Sequence, residues 1–543
     1  MVLLQQNSME LSRAVSYLLI LASILAIIYV GATTLVVAVP REFPFGIIRV
    51  LPSQYWIALG LSLSSLLFAL FTRLTRHICI SGLLLALVVA GLGDLIYAYP
   101  RDLFSIAAAE RISMTGVFTP AESPFLNFPG SAILFSFLVL VIGATPALIV
   151  KAFGLLYDPI LLGLSFLTFR RLGISEKQAI LGALVVVFAF YMQGVLVYTS
   201  LLGFIFYVAF FGLVLAPYSK LRAQVFLLAA FFGAMVVSHA FTPFLTLGAA
   251  IVMLLGWRFA DSALKMLRLE RAPGDPPTTD RSVLILLTLL LVGYWAYFAA
   301  DPFAWGLVKL ESTDLVSIFR GAGSSILMAR TAYQSSYARI TELYAPILFL
   351  AFAIYLFTSR DSRKLQLSLW ILGLAACLVV AVGGYTQEFP ARIFALAILP
   401  LGYGVARLLQ SNRLTLRTIG LGVLLITLSL HLPGHYGQDS FMNVQVSTIQ
   451  GLAFFAEHSS PHSSIRSRLG ELEQEYYFAP HRVGSASLST PGIYFISNYQ
   501  VESRVLYSEG DVAARQLTQE LNSSQYDRVY SSGWFEVFSR NEH

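Results

Sequence analysis

Long apolar stretches alternate with short polar ones from residue 17 to residue 430, and the alternation then stops. Each stretch runs for about 16 to 23 residues, the length of an α-helix that crosses the hydrocarbon core of a bilayer. They fall at 17–39, 54–71, 78–98, 178–198, 201–217, 223–241, 243–257, 282–300, 343–358, 366–384, 393–409 and 415–430. The stretch 131–169 is long enough for two spans but is interrupted by Pro146, Lys151 and Pro159. It predicts a broken or half-crossing helix with one net crossing, because irregular backbone at membrane depth is tolerated where it lines a cavity. The pattern thus predicts about thirteen crossings.

Composition agrees. Of the 543 residues, 57% are hydrophobic and 12% charged, about half the charge of a soluble chain. Mean hydropathy is +0.72. The basic connections are Arg73/Arg76/His77, Arg170/Arg171/Lys177, Lys220/Arg222, Arg258 to Arg281, Arg360/Arg363/Lys364 and Arg407/Arg413/Arg417. They fall on alternate sides of the span order, so the positive-inside rule places them all in the cytoplasm, with the N-terminus. The other side holds 40–53, 99–130, 301–342, 385–392 and everything after 431. The net charge of +6 resides in these short connections and is no sign of nucleic-acid binding. Cys79 and Cys377 lie in apolar spans and offer neither a disulfide nor a metal framework. The first apolar run, Ser16 to Pro40, is too long for a signal-peptide core and reads as a retained span. Arg258 to Arg281 reads as an amphipathic interfacial helix followed by a Pro-rich turn.

After His431 the chain turns polar. Thr448 to His458 and Asp511 to Leu521 have helical spacing, Gly492 to Ser497 reads as a buried strand, and Asp527 to Arg540 reads as a hairpin around Ser531-Ser532-Gly533. The expected fold class is therefore mainly α: a polytopic transmembrane helical bundle over 1–430, with external loops 99–130 and 301–342. A small α/β extracytoplasmic domain follows over 431–543.

Four places on the outer side carry candidate chemistry. Asp102 opens a segment whose apolar residues, Leu103, Phe104, Ile106, Ile112 and Met114, have helical spacing. Asp102 is either the cap of an interfacial helix, with Arg101, Glu110 and Arg111 as its solvated charges, or an acid held at headgroup depth. Ser238-His239-Ala240-Phe241-Thr242-Pro243 breaks an apolar run near the outer face. His239 either bonds a neighbouring backbone carbonyl at the proline break or, with Thr242, binds a sugar hydroxyl or phosphate oxygen. The loop 301–342 is too long for a plain connector and reads as a mobile lid or a solvated linker; Arg320 or Arg330 is placed to clamp a phosphate. Glu388 and Arg392 flank Pro390 at the start of a span. An ion pair at that spacing is worth a few tenths of a kcal/mol, too little to explain two charges at the boundary, so Arg392 is either an interfacial anchor or a phosphate ligand.

Asp102 with the helix-like stretch to Gly116, then Asn127-Phe-Pro-Gly130 leading into the apolar run to Gly143, then Phe169-Arg-Arg-Leu-Gly173, resemble the first external loop and following spans of GT-C glycosyltransferases. The likeness is to the protein O-mannosyltransferase and aminoarabinose transferase branch, including members with a small external C-terminal domain. It implies a multi-pass cell-membrane enzyme that takes a sugar from a polyprenyl-phosphate carrier and passes it to a glycan, lipid or protein acceptor on the outer face. It also implies that Asp102 is either the base that activates the acceptor hydroxyl or a ligand of a divalent metal, so no cofactor is fixed and a divalent metal stays open. Arg392, beside Glu388, would then engage the donor phosphate, a role suited to a guanidinium that meets two oxygens at once. The chain departs from the pattern in three ways: it has no WWDxG-like motif, no outer DxD pair, and no Glu directly after Asp102.

No phosphate-binding Gly-rich loop, zinc spacing or nucleophile elbow is present, and the cytoplasmic connections are too short for a nucleotide-binding domain. Two other readings stay open: a transporter or flippase of a lipid-linked glycan, and a GT-C scaffold without activity. The first requires two related halves with paired broken helices, and neither is evident.

Overall fold

A computed structural model describes residues 2–33, 51–92, 103–117, 128–189, 198–215, 221–266, 281–300, 343–359, 361–382 and 389–436. It also describes five strands beyond them. Fifteen α-helices are described: α1 (Val2–Thr33), α2 (Ser53–Thr72), α3 (Thr75–Ala86), α4 (Leu103–Thr115), α5 (Gly130–Ile142), α6 (Pro146–Arg171), α7 (Glu176–Ala189), α8 (Tyr198–Leu215), α9 (Leu221–Ser238), α10 (Phe241–Met266), α11 (Arg281–Tyr297), α12 (Tyr344–Thr358), α13 (Lys364–Val382), α14 (Phe389–Gln410) and α15 (Leu414–Tyr436). Six of them are long and apolar enough to cross a membrane, and seven shorter helices are similarly apolar.

The ambiguous stretch 131–169 resolves into two helices. Gly143 takes a left-handed φ of 72° and closes α5, its N–H donating to Val139 O at 2.8 Å. Thr145 then caps α6, accepting from the Leu148 N–H, and Pro146 occupies the first turn, where its missing N–H is no loss. At 13 residues α5 spans about 20 Å, short of a hydrocarbon core of about 30 Å. Of the three expected interruptions only Pro146 marks a break; Lys151 and Pro159 lie inside α6. Two other expectations shift. The run after Arg258 is not a separate interfacial helix at its start, since α10 continues unbroken to Met266. The span from residue 78 loosens into a π-helical turn over Leu87–Gly91. There Gly91 lies so close to α6 that a Cβ would sit 2.9 Å from the Leu155 carbonyl oxygen.

α7 forms the centre, buried on every side from Ala179 to Ala189. α14 crosses it at a small-residue contact: a Cβ on Gly182 would meet Ala406 Cβ at 2.6 Å, and one on Gly402 would meet Val186 Cγ2 at 2.6 Å. α10 and α13 approach in the same way, with Gly373 against the Ala249 backbone. Close backbone approach through small residues is how helices associate where lipid removes the usual hydrophobic drive. Peripheral helices present apolar side chains outward, among them Leu18, Leu25, Leu140 and Leu167.

The strands, β1 (Ile465–Arg466), β2 (Val483–Gly484), β3 (Ile493–Ser497), β4 (Tyr526–Ser531) and β5 (Phe535–Arg540), form one sheet in the order β2-β1-β3-β5-β4. β1 runs parallel to β2 and β3, and β5 runs antiparallel to β3 and β4. The expected strand at 492–497 and the hairpin at 527–540 are both present. The two helices expected in the tail lie outside the described residues.

Candidate functional site

Two motifs that are more than a hundred residues apart in sequence meet at one end of the bundle. α9 stops at Ser238 because Pro243 has no N–H to donate to the carbonyl four residues back, and its ring would clash there. The His239 N–H still closes on Met235 O at 2.9 Å, and α10 starts at Phe241. The Thr242 N–H donates to His239 Nδ1 at 3.2 Å, and the Thr242 hydroxyl lies 2.8 Å from the same nitrogen. A backbone N–H can only donate, so Nδ1 is an acceptor and the ring proton sits on Nε2. The bond His239 makes to the backbone is thus to an N–H of the next helix. Thr246 Oγ1 donates to Thr242 O at 2.6 Å and steadies this first turn.

Around this break the chain uses glycine where a side chain would not fit. A Cβ on Gly130, at the start of α5, would meet Ser238 Oγ at 2.5 Å. One on Gly203 of α8 would lie 3.0 Å from His239 Cβ and 3.2 Å from Thr242 Oγ1. Aromatic rings surround the cluster: Phe128 lies 6.2 Å from Tyr294, Phe241 5.9 Å from His239, and Trp295 stacks on Phe244. Ser238, His239 and Thr242 are all buried. The result is a polar corner, formed by Ser238, His239 and Thr242, in an aromatic wall.

α4 begins one residue after Asp102 and ends at Gly116, whose left-handed φ of 66° closes the helix. Its buried residues are Ile106, Ala108 and Ala109, while Met114 faces outward at 78% exposure. Among the side chains described, the contact face is built from Ile106 and two small alanines, and Ser136 of α5 donates to Ala109 O at 3.0 Å. Asp102, Arg320 and Glu388 lie outside the described residues. Arg392 is placed in the first turn of α14, with its side chain outside what is described. Among the described residues no group of three metal-ligating side chains occurs, and Asp102 is not among them.

Opposite this end the basic connections gather. Arg363 donates to Leu215 O, Lys364 to Leu356 O, and Lys177 to Leu70 O at 3.4 Å, so the connections cap the C-terminal carbonyls of α8, α12 and α2. In their midst stands Asp361, which sequence reasoning passed over although it is the one acid in Arg360-Asp-Ser-Arg-Lys364. Its Oδ2 accepts from Tyr355 at 3.0 Å, Tyr403 at 2.7 Å and Arg407 Nε at 2.7 Å. Burial alone would push the carboxyl up. The Arg407 charge, the Tyr403 hydroxyl, the Arg363 N–H and the Tyr355 hydroxyl together outweigh it and hold the group below its ordinary value. Sequence reasoning also passed over Asp158, buried inside α6 beside Pro159.

This architecture is that of a multi-pass membrane protein, and its fold is shared with solved structures. The particular likeness is to ArnT from Cupriavidus metallidurans in the apo state: 11% identity over 86% of this chain and 97% of that one, with a TM-score of 0.50. The same ArnT bound to undecaprenyl phosphate gives 10% identity over 87% and 98% of the two chains and a TM-score of 0.49. The arabinofuranosyltransferase AftD from Mycobacteria gives 12% identity over 86% of this chain and 40% of that one, with a TM-score of 0.49. No protein-family model matches the chain, and no curated protein matches it in sequence.

Proposed function

We propose that the protein is an integral membrane glycosyltransferase that moves a sugar from a polyprenyl-phosphate carrier to an acceptor at the extracytoplasmic face. The observation that carries this reading is the ArnT fold across nearly the whole length of both chains; ArnT has been crystallised with undecaprenyl phosphate. The meeting of the Phe128–Gly130 and Ser238–Thr242 segments supports it, because both lie at the end of the bundle opposite the basic connections.

Asp102 acts as the base toward the acceptor hydroxyl or as the ligand of a divalent cation. As a base it must be ionised and within reach of the acceptor proton. Arg392, with Glu388 beside it, holds the donor phosphate, and Arg320 closes on it from the loop 301–342. His239 offers its Nε2–H to a sugar or phosphate oxygen while Thr242 fixes the ring. The basic end lies in the cytoplasm and the C-terminal sheet outside.

The test is Asp102→Asn in a membrane assay with a polyprenyl-phosphate-linked sugar. The expected result is a transfer rate lower by about 10²–10⁴-fold at normal protein level, the usual contribution of a general base. Undiminished transfer removes Asp102 from the reaction, and absence of transfer by the unaltered protein across a panel of lipid-linked donors removes the enzyme reading.

A further inference from the structure

α14 carries a proline in its interior. Pro400 has no N–H to give the Leu396 carbonyl, and its ring crowds that oxygen, so the helix loses one of its own bonds between its outer and inner halves. The freed oxygen is taken up from outside the helix. The Tyr207 hydroxyl of α8 donates to Leu396 O at 2.7 Å, and Trp370 Nε1 of α13 donates to the Tyr207 hydroxyl at 3.0 Å. Tyr207, Trp370 and Leu396 are all buried. The Tyr207 ring lies between those of Phe204 and Phe211, with centres 5.6 and 6.1 Å away, so the hydroxyl has little freedom to leave.

A carbonyl freed by proline inside a membrane must find a donor, and a neighbouring helix, a Ser or Thr hydroxyl or a water can supply it. That need asks for one donor only. Here the donor is itself held by a third helix, so α8, α13 and α14 are tied together at one level. The two halves of α14 are also held differently. The inner half, 401–410, crosses α7 at Gly402 and meets Asp361 through Tyr403 and Arg407. The outer half, 389–399, has no glycine for such a crossing, and its first turn carries Arg392. Leu396 lies four residues further on, about one turn of helix away. Tilt or rotation at the proline would carry the Arg392 backbone with it, and the Tyr207 bond opposes that movement.

We propose that Tyr207, backed by Trp370, is a positioning residue: by holding Leu396 O across the proline break it fixes the first turn of α14, and so the place at which Arg392 meets the donor phosphate. A ligand-holding side chain works only when its own support is fixed. The inference rests on the reading of Arg392 as a phosphate ligand.

Native mass spectrometry of the full-length protein in detergent tests it, with decaprenyl phosphate and uncharged decaprenol as probes. The ratio of their retention isolates what the phosphate contributes. The unaltered protein should prefer the phosphate, and Arg392→Gln should lower that preference roughly tenfold, one charge-assisted contact being lost. Tyr207→Phe keeps the ring and removes only the hydroxyl. It should lower the preference about threefold or more while decaprenol retention stays the same, a split that general loosening of the bundle would not produce. Added to Arg392→Gln it should lower the preference no further, since both act through one contact. Pro400→Ala gives the Leu396 carbonyl a donor of its own and makes the helix regular. It should lower the preference by itself, and Tyr207→Phe should then add nothing; this pair strands no carbonyl and decides the matter even where Tyr207→Phe alone does not fold. No preference in the unaltered protein, or one that survives Arg392→Gln, overturns the Arg392 reading and this inference together. A preference lost in Arg392→Gln but intact in Tyr207→Phe or in Pro400→Ala overturns the inference alone. So does a further drop when Tyr207→Phe is added to Arg392→Gln.

Discussion

At residue scale, Asp361 shows how one acid organises a basic end. Its Oδ2 takes three donors, from α12 and α14, and its Oδ1 accepts the Arg363 N–H at 3.1 Å, so four groups converge on one nearly inaccessible carboxylate. Removing one member of a buried charged network strands the others. Asp361→Asn should therefore destabilise the protein by roughly 2–3 kcal/mol, toward the low side because Arg407 keeps some contact with water. The folded-state pKa of Asp361 is lowered, so its contribution is complete above the unfolded carboxyl value and is lost as pH falls through the folded one. Thermal unfolding in detergent should show a gap between Asp361→Asn and the unaltered protein that is constant from about pH 5 to 8 and narrows below about pH 4. A gap unchanged down to pH 3 would mean that the charge does not matter and only the shape does. His239 makes a related point: its sequence position marked a polar break in an apolar run, but only the Thr242 N–H shows which ring nitrogen is the acceptor.

At the scale of elements, helix ends were easier to read than helix contacts. Pro243 and the Gly143–Pro146 break end helices for local reasons, visible in any short window of sequence. The crossing of α7 and α14 rests instead on Gly182 and Gly402, which read locally as two unremarked glycines in apolar runs. Each faces the other helix closely enough that an added side chain has nowhere to go. Gly402→Leu should cost about 1–3 kcal/mol or more through overpacking, whereas Gly163→Leu, in a helix where a Cβ meets nothing within 4 Å, should cost less than about 1 kcal/mol. Comparing their melting temperatures in detergent checks the crossing; equal losses would contradict it. The same distinction accounts for α4, whose helical spacing was legible although its contact face was not. Ile106 and the alanines, not Met114, meet the bundle, and the small side chains let α4 approach α5 closely.

For the whole molecule, the alternation of basic and non-basic connections has a physical counterpart: basic connections contact one another and cap helix ends at a single end of the bundle. The proposed orientation is testable by labelling with an impermeant maleimide in a Cys79→Ser/Cys377→Ser background. Ser411→Cys, at the basic end, should react only after the membrane is permeabilised, and Ser523→Cys, in the tail, should react in intact spheroplasts. The reverse pattern would turn Asp102 toward the cytoplasm and remove the external acceptor site.

Hydropathy along the chain by itself determined a membrane bundle with a polar tail, because span length and loop charge are set by the bilayer and need no neighbours. It also marked Asp102, His239, Thr242, Glu388, Arg392 and Arg320 as polar groups in costly places. Tertiary structure decided that Gly130 abuts Ser238 and that Gly203 makes room for His239 and Thr242. It likewise decided that Asp361 gathers Tyr355, Tyr403 and Arg407. These are contacts between residues far apart in the chain, fixed by how helices pack and invisible to any local pattern.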